Sequence, residues 1–190
     1  MGNKLGAAPW LAIAVCGLGG SCTSKPGLGF GAGLDVPYVQ TAAPVVRAML
    51  ELAQVKQGEM VIDLGCGDGR MAIAAATDFG ARSIGYDLDP ERVAESRENA
   101  RQAGVSDRAH FQVKDVLAAD ISQANVVVMF LIPLLIETLT PRLLSELGEG
   151  TRVVSHSFPI RTWTPERQIV VGGRTLYLYR VPKRVPLRLR

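Results

Sequence analysis

Seven residues in one 53-residue stretch could do chemistry together: Asp63, Gly65, Gly67, Asp68 and Gly69, then Asp87 and Asp115. The first five stand in VIDLGCGDGR, which begins within the short apolar run Met60 to Leu64 and continues past its end. Glycines at alternate positions let a backbone turn sharply and approach a ligand closely. Such a loop alone suits a dinucleotide or a nucleoside, so the glycines leave both open. The carboxylates separate them, because the spacing is G-x-G-x-G with Asp63 before it and Asp68 inside it, not the dinucleotide G-x-G-x-x-G. Two carboxylates a few ångströms from a pyrophosphate would cost on the order of 1 kcal/mol or more each, even in a fairly polar site. A cationic ligand is attracted instead. Asp87, in GYDLDP, lies where a carboxylate after a second strand accepts from both ribose hydroxyls. Asp115, in FQVKDVL, can accept from an adenine amino group while Val116 packs on the ring. A nucleoside carrying an ammonium and a sulfonium, S-adenosylmethionine, suits the acidic loop and satisfies Asp87 and Asp115 as well.

The elements that position these residues read as alternating helices and strands from Asp35 onward. Apolar residues at helical spacing mark a helix over Ala42 to Leu52, and Gly58 ends the turn after it. Met60 to Leu64 is a buried strand and Arg70 to Phe79 a helix closed by Gly80. Ser83 to Leu88 is a second strand. Asp89 caps the next helix, which starts at Pro90, runs to about Ala103 and closes at Gly104. Strands follow at Ala109 to Val113, Asn125 to Leu131 and Thr151 to His156, with a helix over Leu134 to Leu147 before the last of these. Gly172-Gly173 joins Gln168 to Val171 and Thr175 to Val181 as a hairpin. The expectation is an α/β fold: an open, mostly parallel sheet, helices on both faces, ending in an antiparallel hairpin, with ligands beyond the carboxyl ends of the strands.

VIDLGCGDGR, GYDLDP and KDVL resemble the first three motifs of class I S-adenosylmethionine-dependent methyltransferases, over about Asp35 to Pro182. The resemblance implies a Rossmann-like seven-stranded sheet with an antiparallel last strand. It implies cofactor contacts from Asp63, Gly65, Cys66, Gly67, Asp68, Gly69, Asp87, Leu88, Asp115 and Val116. A narrower resemblance rests on DVPYVQT (Asp35 to Thr41), FLIP (Phe130 to Pro133) and VVSHSF (Val153 to Phe158). These are similar to bacterial relatives of the lysine methyltransferases that act on the ADP/ATP carrier and the ATP synthase c-subunit. That family closes the upstream segment over the cofactor, which would bring Tyr38 and Thr41 to its methionine end; Gln40 stands where a proline is common.

A lysine acceptor must lose its proton before it can attack, and Tyr38 and Phe130 could line an apolar pocket that lowers its pKa. The run Met129-Phe130-Leu131-Ile132-Pro133 lacks the polar clamp for a planar amide or base, which disfavours nucleobase and amide acceptors. His156 reads either as a general base or substrate contact or as a histidine closing a strand end. Trp163 reads as packing or as a wall of the acceptor site. The acceptor expected is a protein lysine. A small-molecule amine or lipid headgroup, or a nucleoside-binding module without catalysis, are the alternatives.

Composition narrows the classes. At 190 residues the chain holds one domain, and a formal charge of +3 with scattered basic residues does not call for a nucleic acid. The basic tail, residues 183 to 190, is a solvated end or a contact for acidic lipid or RNA. Cys16, Cys22 and Cys66 form no metal-ligand pattern, and Cys66 reads as a small residue filling the loop. No metal is expected, and no Ser/His/Asp or Cys/His set supports a covalent route. Residues 1 to 34 begin with Lys4 and an apolar stretch from Leu5 to Leu18, as a signal peptide or short membrane anchor would. Membrane association through residues 5 to 20, a flexible leader and a start assigned too early all stay open. Cys22 is a poor lipidation site because Gly19 stands where an aliphatic residue belongs. The exported look of the leader conflicts with a cofactor made in the cytosol, so the location stays open, as does the oligomeric state.

Overall fold

The computed structural model describes residues 39–183. Tyr38, the leader and all of the basic tail except Lys183 lie outside the described residues. Seven strands form one sheet: β1 (Met60–Leu64), β2 (Arg82–Asp87), β3 (Ala109–Val113), β4 (Val126–Met129), β5 (Arg152–His156), β6 (Arg167–Val171) and β7 (Arg174–Arg180). Their order is β3-β2-β1-β4-β5-β7-β6. The first five run parallel, β7 pairs antiparallel with both β5 and β6, and β6 therefore runs with the majority. This is the expected sheet, and the order reverses between β1 and β4, where ligands of open α/β sheets bind. Strand and helix ends fall within two residues of the sequence expectation.

Four helices cover the sheet: α1 (Ala43–Leu52), α2 (Arg70–Phe79), α3 (Pro90–Gln102) and α4 (Pro133–Glu146). Alternation along the strands sorts the core. Val61, Val126, Val128 and Val154 face α1 and α2, packing with Val46, Met49, Leu50 and Ala75. Ile62, Leu64, Val127, Met129 and Val153 face the other way, against Leu135, Ile136, Leu139 and Leu143 of α4. On that second face α4 is the only α-helix among the described residues.

Local chemistry explains where the elements start and stop. Asp89 caps α3 by accepting from the Glu91 N–H at 2.8 Å, with Pro90 at the first position. Gly80 ends α2 in the left-handed region that side chains resist. Both hairpin glycines have positive φ, 56° at Gly172 and 74° at Gly173, as a tight turn matched to the strand twist requires. The linker from β3 to β4 departs from the usual build of a parallel crossover. It passes over two strands with only a 3-10 turn, Val116–Ala118, where a parallel crossover ordinarily builds a helix.

Candidate active site

The loop after β1 is tied down from within. The Gly65 and Cys66 N–H groups both donate to the Tyr86 carbonyl at 2.9 and 3.0 Å, and the Gly69 N–H donates to the Cys66 carbonyl at 2.9 Å. Gly67 N–H donates to Asp87 Oδ2 at 2.8 Å, and Asn99 Nδ2 donates to the Asp68 carbonyl at 2.9 Å. A pyrophosphate would need such N–H groups free. Their engagement inside the chain supports the choice already made on charge. Gly69 is obligatory for two reasons: its φ is +81°, and a Cβ there would stand 2.7 Å from both Phe111 and Ser96.

Asp63 and Asp68 fare differently. Asp63 lies on the α1 and α2 side of β1, 5% exposed, and its Oδ2 is buried without a partner among the described residues. Burial, then the nearby charges of Asp87 and Asp68, push its pKa up to about 8. A carboxyl in that condition is largely protonated at neutral pH, and a nearby cation would restore its charge. Asp68, expected to offer its charge to a ligand, instead has its carboxylate gripped by the Arg70 guanidinium, with Nε to Oδ1 at 2.9 Å and a closer contact to Oδ2. The same Arg70 donates to the Thr41 carbonyl at 2.8 Å, which ties the segment entering α1 to the glycine loop. Thr41 is thus linked through Arg70 to the loop. Arg70 was missed, although an arginine two places after a loop aspartate was the available signal.

Asp87 ends β2 and uses both oxygens on backbone: Oδ2 accepts from Gly67 and Oδ1 from the Asp89 N–H at 3.0 Å. Each oxygen keeps capacity to accept once more. Leu88 follows it, one residue beyond the strand. Asp115 caps the 3-10 turn, its Oδ1 accepting from the Leu117 N–H at 2.8 Å. Val116 is buried at its side, in the core that α4 covers. Cys66 is buried against Gly85 and Phe111, and burial pushes its thiol pKa up, which leaves it a packing group.

The ends of β4 and β5 form a second cluster. The Phe130 ring lies 4.0 Å from the His156 ring, centroid to centroid, and 6.4 Å from Phe158. His156 is 3% exposed and neither ring nitrogen has a partner among the described residues. Burial, helped by the charge of Arg174, lowers its pKa to about 4, so it is neutral at physiological pH. With so low a pKa the imidazole is a weak base, and in its neutral form it offers one ring nitrogen as acceptor and one N–H as donor. Ser157, the next residue, holds φ at +65° and has a buried, unpartnered Oγ. It lies inside the VVSHSF motif, although the motif implied no role for it. Trp163, partly buried, packs 5.3 Å from Tyr179 at the edge of the core. Among the described residues no group of three or more His, Cys, Asp or Glu could hold a metal, and no helix is long and apolar enough to cross a membrane.

Comparison with known proteins gives this geometry a family. The family model described as the ANTKMT methyltransferase domain matches residues 63–167. A protein-lysine N-methyltransferase of Saccharolobus islandicus is 47% identical over 149 residues, 76% of this chain and 92% of the relative. An adenine nucleotide translocase lysine N-methyltransferase of Mus musculus is 36% identical over 148 residues, and the match spans 78% of this chain but 64% of that longer protein. Among solved structures, one described as an RNA methyltransferase from Salinibacter ruber in complex with S-adenosyl-L-homocysteine shares 43% identity and a TM-score of 0.76, covering 80% of this chain and 99% of that one. With the seven-stranded sheet, the tied glycine loop and the buried Asp63 already in place, the chain belongs to the ANTKMT methyltransferase domain family and is an S-adenosylmethionine-dependent methyltransferase.

Proposed function

We propose that the chain methylates the side-chain amine of a protein lysine. The observation that carries this reading is the enclosed cluster at the ends of β4 and β5, where the Phe130 ring lies 4.0 Å from a His156 that is 3% exposed. Surroundings that hold an imidazole neutral down to a pH of about 4 also disfavour an ammonium, and a lysine reaching the Phe130 ring would give up its proton there. The names of the Saccharolobus and mouse relatives agree with a lysine acceptor.

On this reading Asp63 pairs with the donor's α-ammonium, Asp87 accepts from the ribose hydroxyls, and Asp115 accepts from the adenine amino group, with Leu88 and Val116 against the base. Gly65, Cys66, Gly67 and Gly69 let the backbone come close, Asp68 acts by holding Arg70, and Thr41 closes the methionine end together with Tyr38. When bound, S-adenosylmethionine supplies an electrophilic methyl group. The chain's own task is to align the amine with it and to keep water away. Phe130 and Phe158 provide apolar walls. His156 accepts a hydrogen bond from the neutral amine and so turns its lone pair toward the donor. The proton lost by the ammonium goes to solvent before the amine is enclosed, since a histidine with so low a pKa cannot keep it.

The test is a lysate treated with the purified protein and methyl-tritiated cofactor, divided into protein, RNA and lipid fractions. Label on protein, mapped to lysine by mass spectrometry, is the expected result. Label confined to RNA would overturn the lysine reading and side with the description of the Salinibacter structure. Label on lipid or small amines would favour that alternative. Membrane association through residues 5 to 20 rests on their sequence alone and is tested by fractionating cells with and without those residues.

A further inference from the structure

The linker between β3 and β4 has to carry Asp115 and Val116 without a helix of its own, and one side chain does the helix's work. Arg142, near the end of α4, donates from Nη1 to the Leu117 carbonyl at 2.6 Å and from Nη2 to the Ala119 carbonyl at 2.7 Å, with Val116 O at the limit of 3.5 Å. These are carbonyls that a regular crossover helix would have satisfied internally. The guanidinium is oriented in turn by Glu146, one turn on, which accepts from Nε and Nη2, each at 2.6 Å. Leu117 is therefore held at both ends of its backbone: its N–H by Asp115 Oδ1 and its C=O by Arg142. Asp115 Oδ2 has no hydrogen bond among the described residues, and the direction it faces is set by this double hold.

We propose that Arg142 is a positioning residue for recognition of the donor's base, acting through Leu117 on the aim of the Asp115 carboxylate. This rests on the reading of Asp115 as the acceptor for the adenine amino group. Arg142 makes no contact with the ligand itself. It is a planar fork with several fixed donors, which is why one side chain can serve two carbonyls and a carboxylate together, and why a lysine in its place would serve only in part.

The experiment measures binding of S-adenosylhomocysteine and of S-inosylhomocysteine, whose base has an oxo group where adenine has its amine, to the full chain and to variants. Calorimetry gives affinities, and steady-state kinetics gives KM for S-adenosylmethionine and kcat. Arg142→Met is expected to weaken the adenosyl ligand about tenfold and leave the inosyl ligand within twofold, so that the preference for adenine collapses. The KM for the donor should rise with it, while kcat at saturation stays within twofold. Arg142→Lys should recover part of the preference. Equal losses for both ligands, or an unchanged preference in a variant that melts as a folded protein, would overturn the proposal. Should Arg142→Met fail to fold, Glu146→Gln loosens the guanidinium without touching the carbonyls, and the same preference must fall, by two- to threefold; no change would again overturn it. Asp115→Ala separates the two levels. If it abolishes the preference and neither Arg142 nor Glu146 variants do, only the role of Arg142 fails. If it leaves the preference intact, the adenine assignment itself fails.

Discussion

The ends of β1 and β2 and the ends of β4 and β5 are neighbours in one sheet, yet they handle polar groups in opposite ways. At β1 and β2 nearly every group is answered: the loop N–H groups by Tyr86, Cys66 and Asp87, Asp68 by Arg70, and only one oxygen of Asp63 is left over. At β4 and β5 the Phe130 ring lies against His156 and near Phe158, and the ring nitrogens of His156 and the Oγ of Ser157 are left without partners among the described residues. On the proposed reading the first region recognises by fixed hydrogen bonds and so specifies one ligand, and the second recognises by excluding water, which suits an amine that reacts in its neutral form.

Breaking the first region should have the larger effects. Asp87→Ala removes an acceptor for the ligand and also strands the Gly67 N–H, so cofactor affinity should fall by about 1 to 3 kcal/mol, read by calorimetry. An unchanged affinity would remove Asp87 from the cradle. Gly69→Ala forces a side chain into positive φ and against Phe111 and Ser96, and unfolding measurements should show a loss of roughly 1 to 3 kcal/mol.

Asp63→Asn should split two properties. The folded carboxyl has a pKa of about 8, far above the ordinary value, so the folded state holds a proton that the unfolded state releases as pH rises through the carboxylate range. The stability tied to that proton is full below the unfolded pKa and is lost as pH climbs to 8. The ligand-free asparagine variant should therefore melt higher than the parent at pH 8 while binding the cofactor more weakly. Cofactor binding at pH 7 to the parent should release a proton, seen as a dependence of the binding heat on buffer ionisation; a heat independent of buffer would count against the Asp63 pairing.

The second region should respond least to pH. His156 has its folded pKa lowered to about 4, so its share of stability is present above the unfolded value near 6.5 and is lost as pH falls through 4. His156→Asn, which keeps an acceptor, should retain most of kcat and leave the pH–rate profile without a changed inflection between pH 6 and 8. A lost inflection there would restore His156 as a base.

The contrast also explains what could be read from sequence. The first region is written in consecutive residues: glycines at 65, 67 and 69 and carboxylates closing β1 and β2 announce themselves by spacing. The strands and helices were legible for the same reason, since their periodicity and caps, such as Asp89 with Pro90, are local. What was hidden depends on contacts between distant elements. The Arg70 link to Thr41 crosses 29 positions and the Arg142 hold on Leu117 crosses 25, and no local pattern reports either. The neutral state of His156 comes from packing, which a strand-end histidine does not reveal by its place in the chain. The 3-10 turn at Val116–Ala118 was missed because Asp115 looked like a ligand group alone, while it is a cap as well.

A loop whose N–H groups are already spoken for has nothing left to fold when a ligand comes. Its ordering is part of the folding of the domain, so encounter does not wait for it and little conformational entropy is withdrawn from the binding energy at that point. The rate of arrival should then follow diffusion and charge steering, and the affinity differences among loop variants should be read mainly in how fast the ligand leaves.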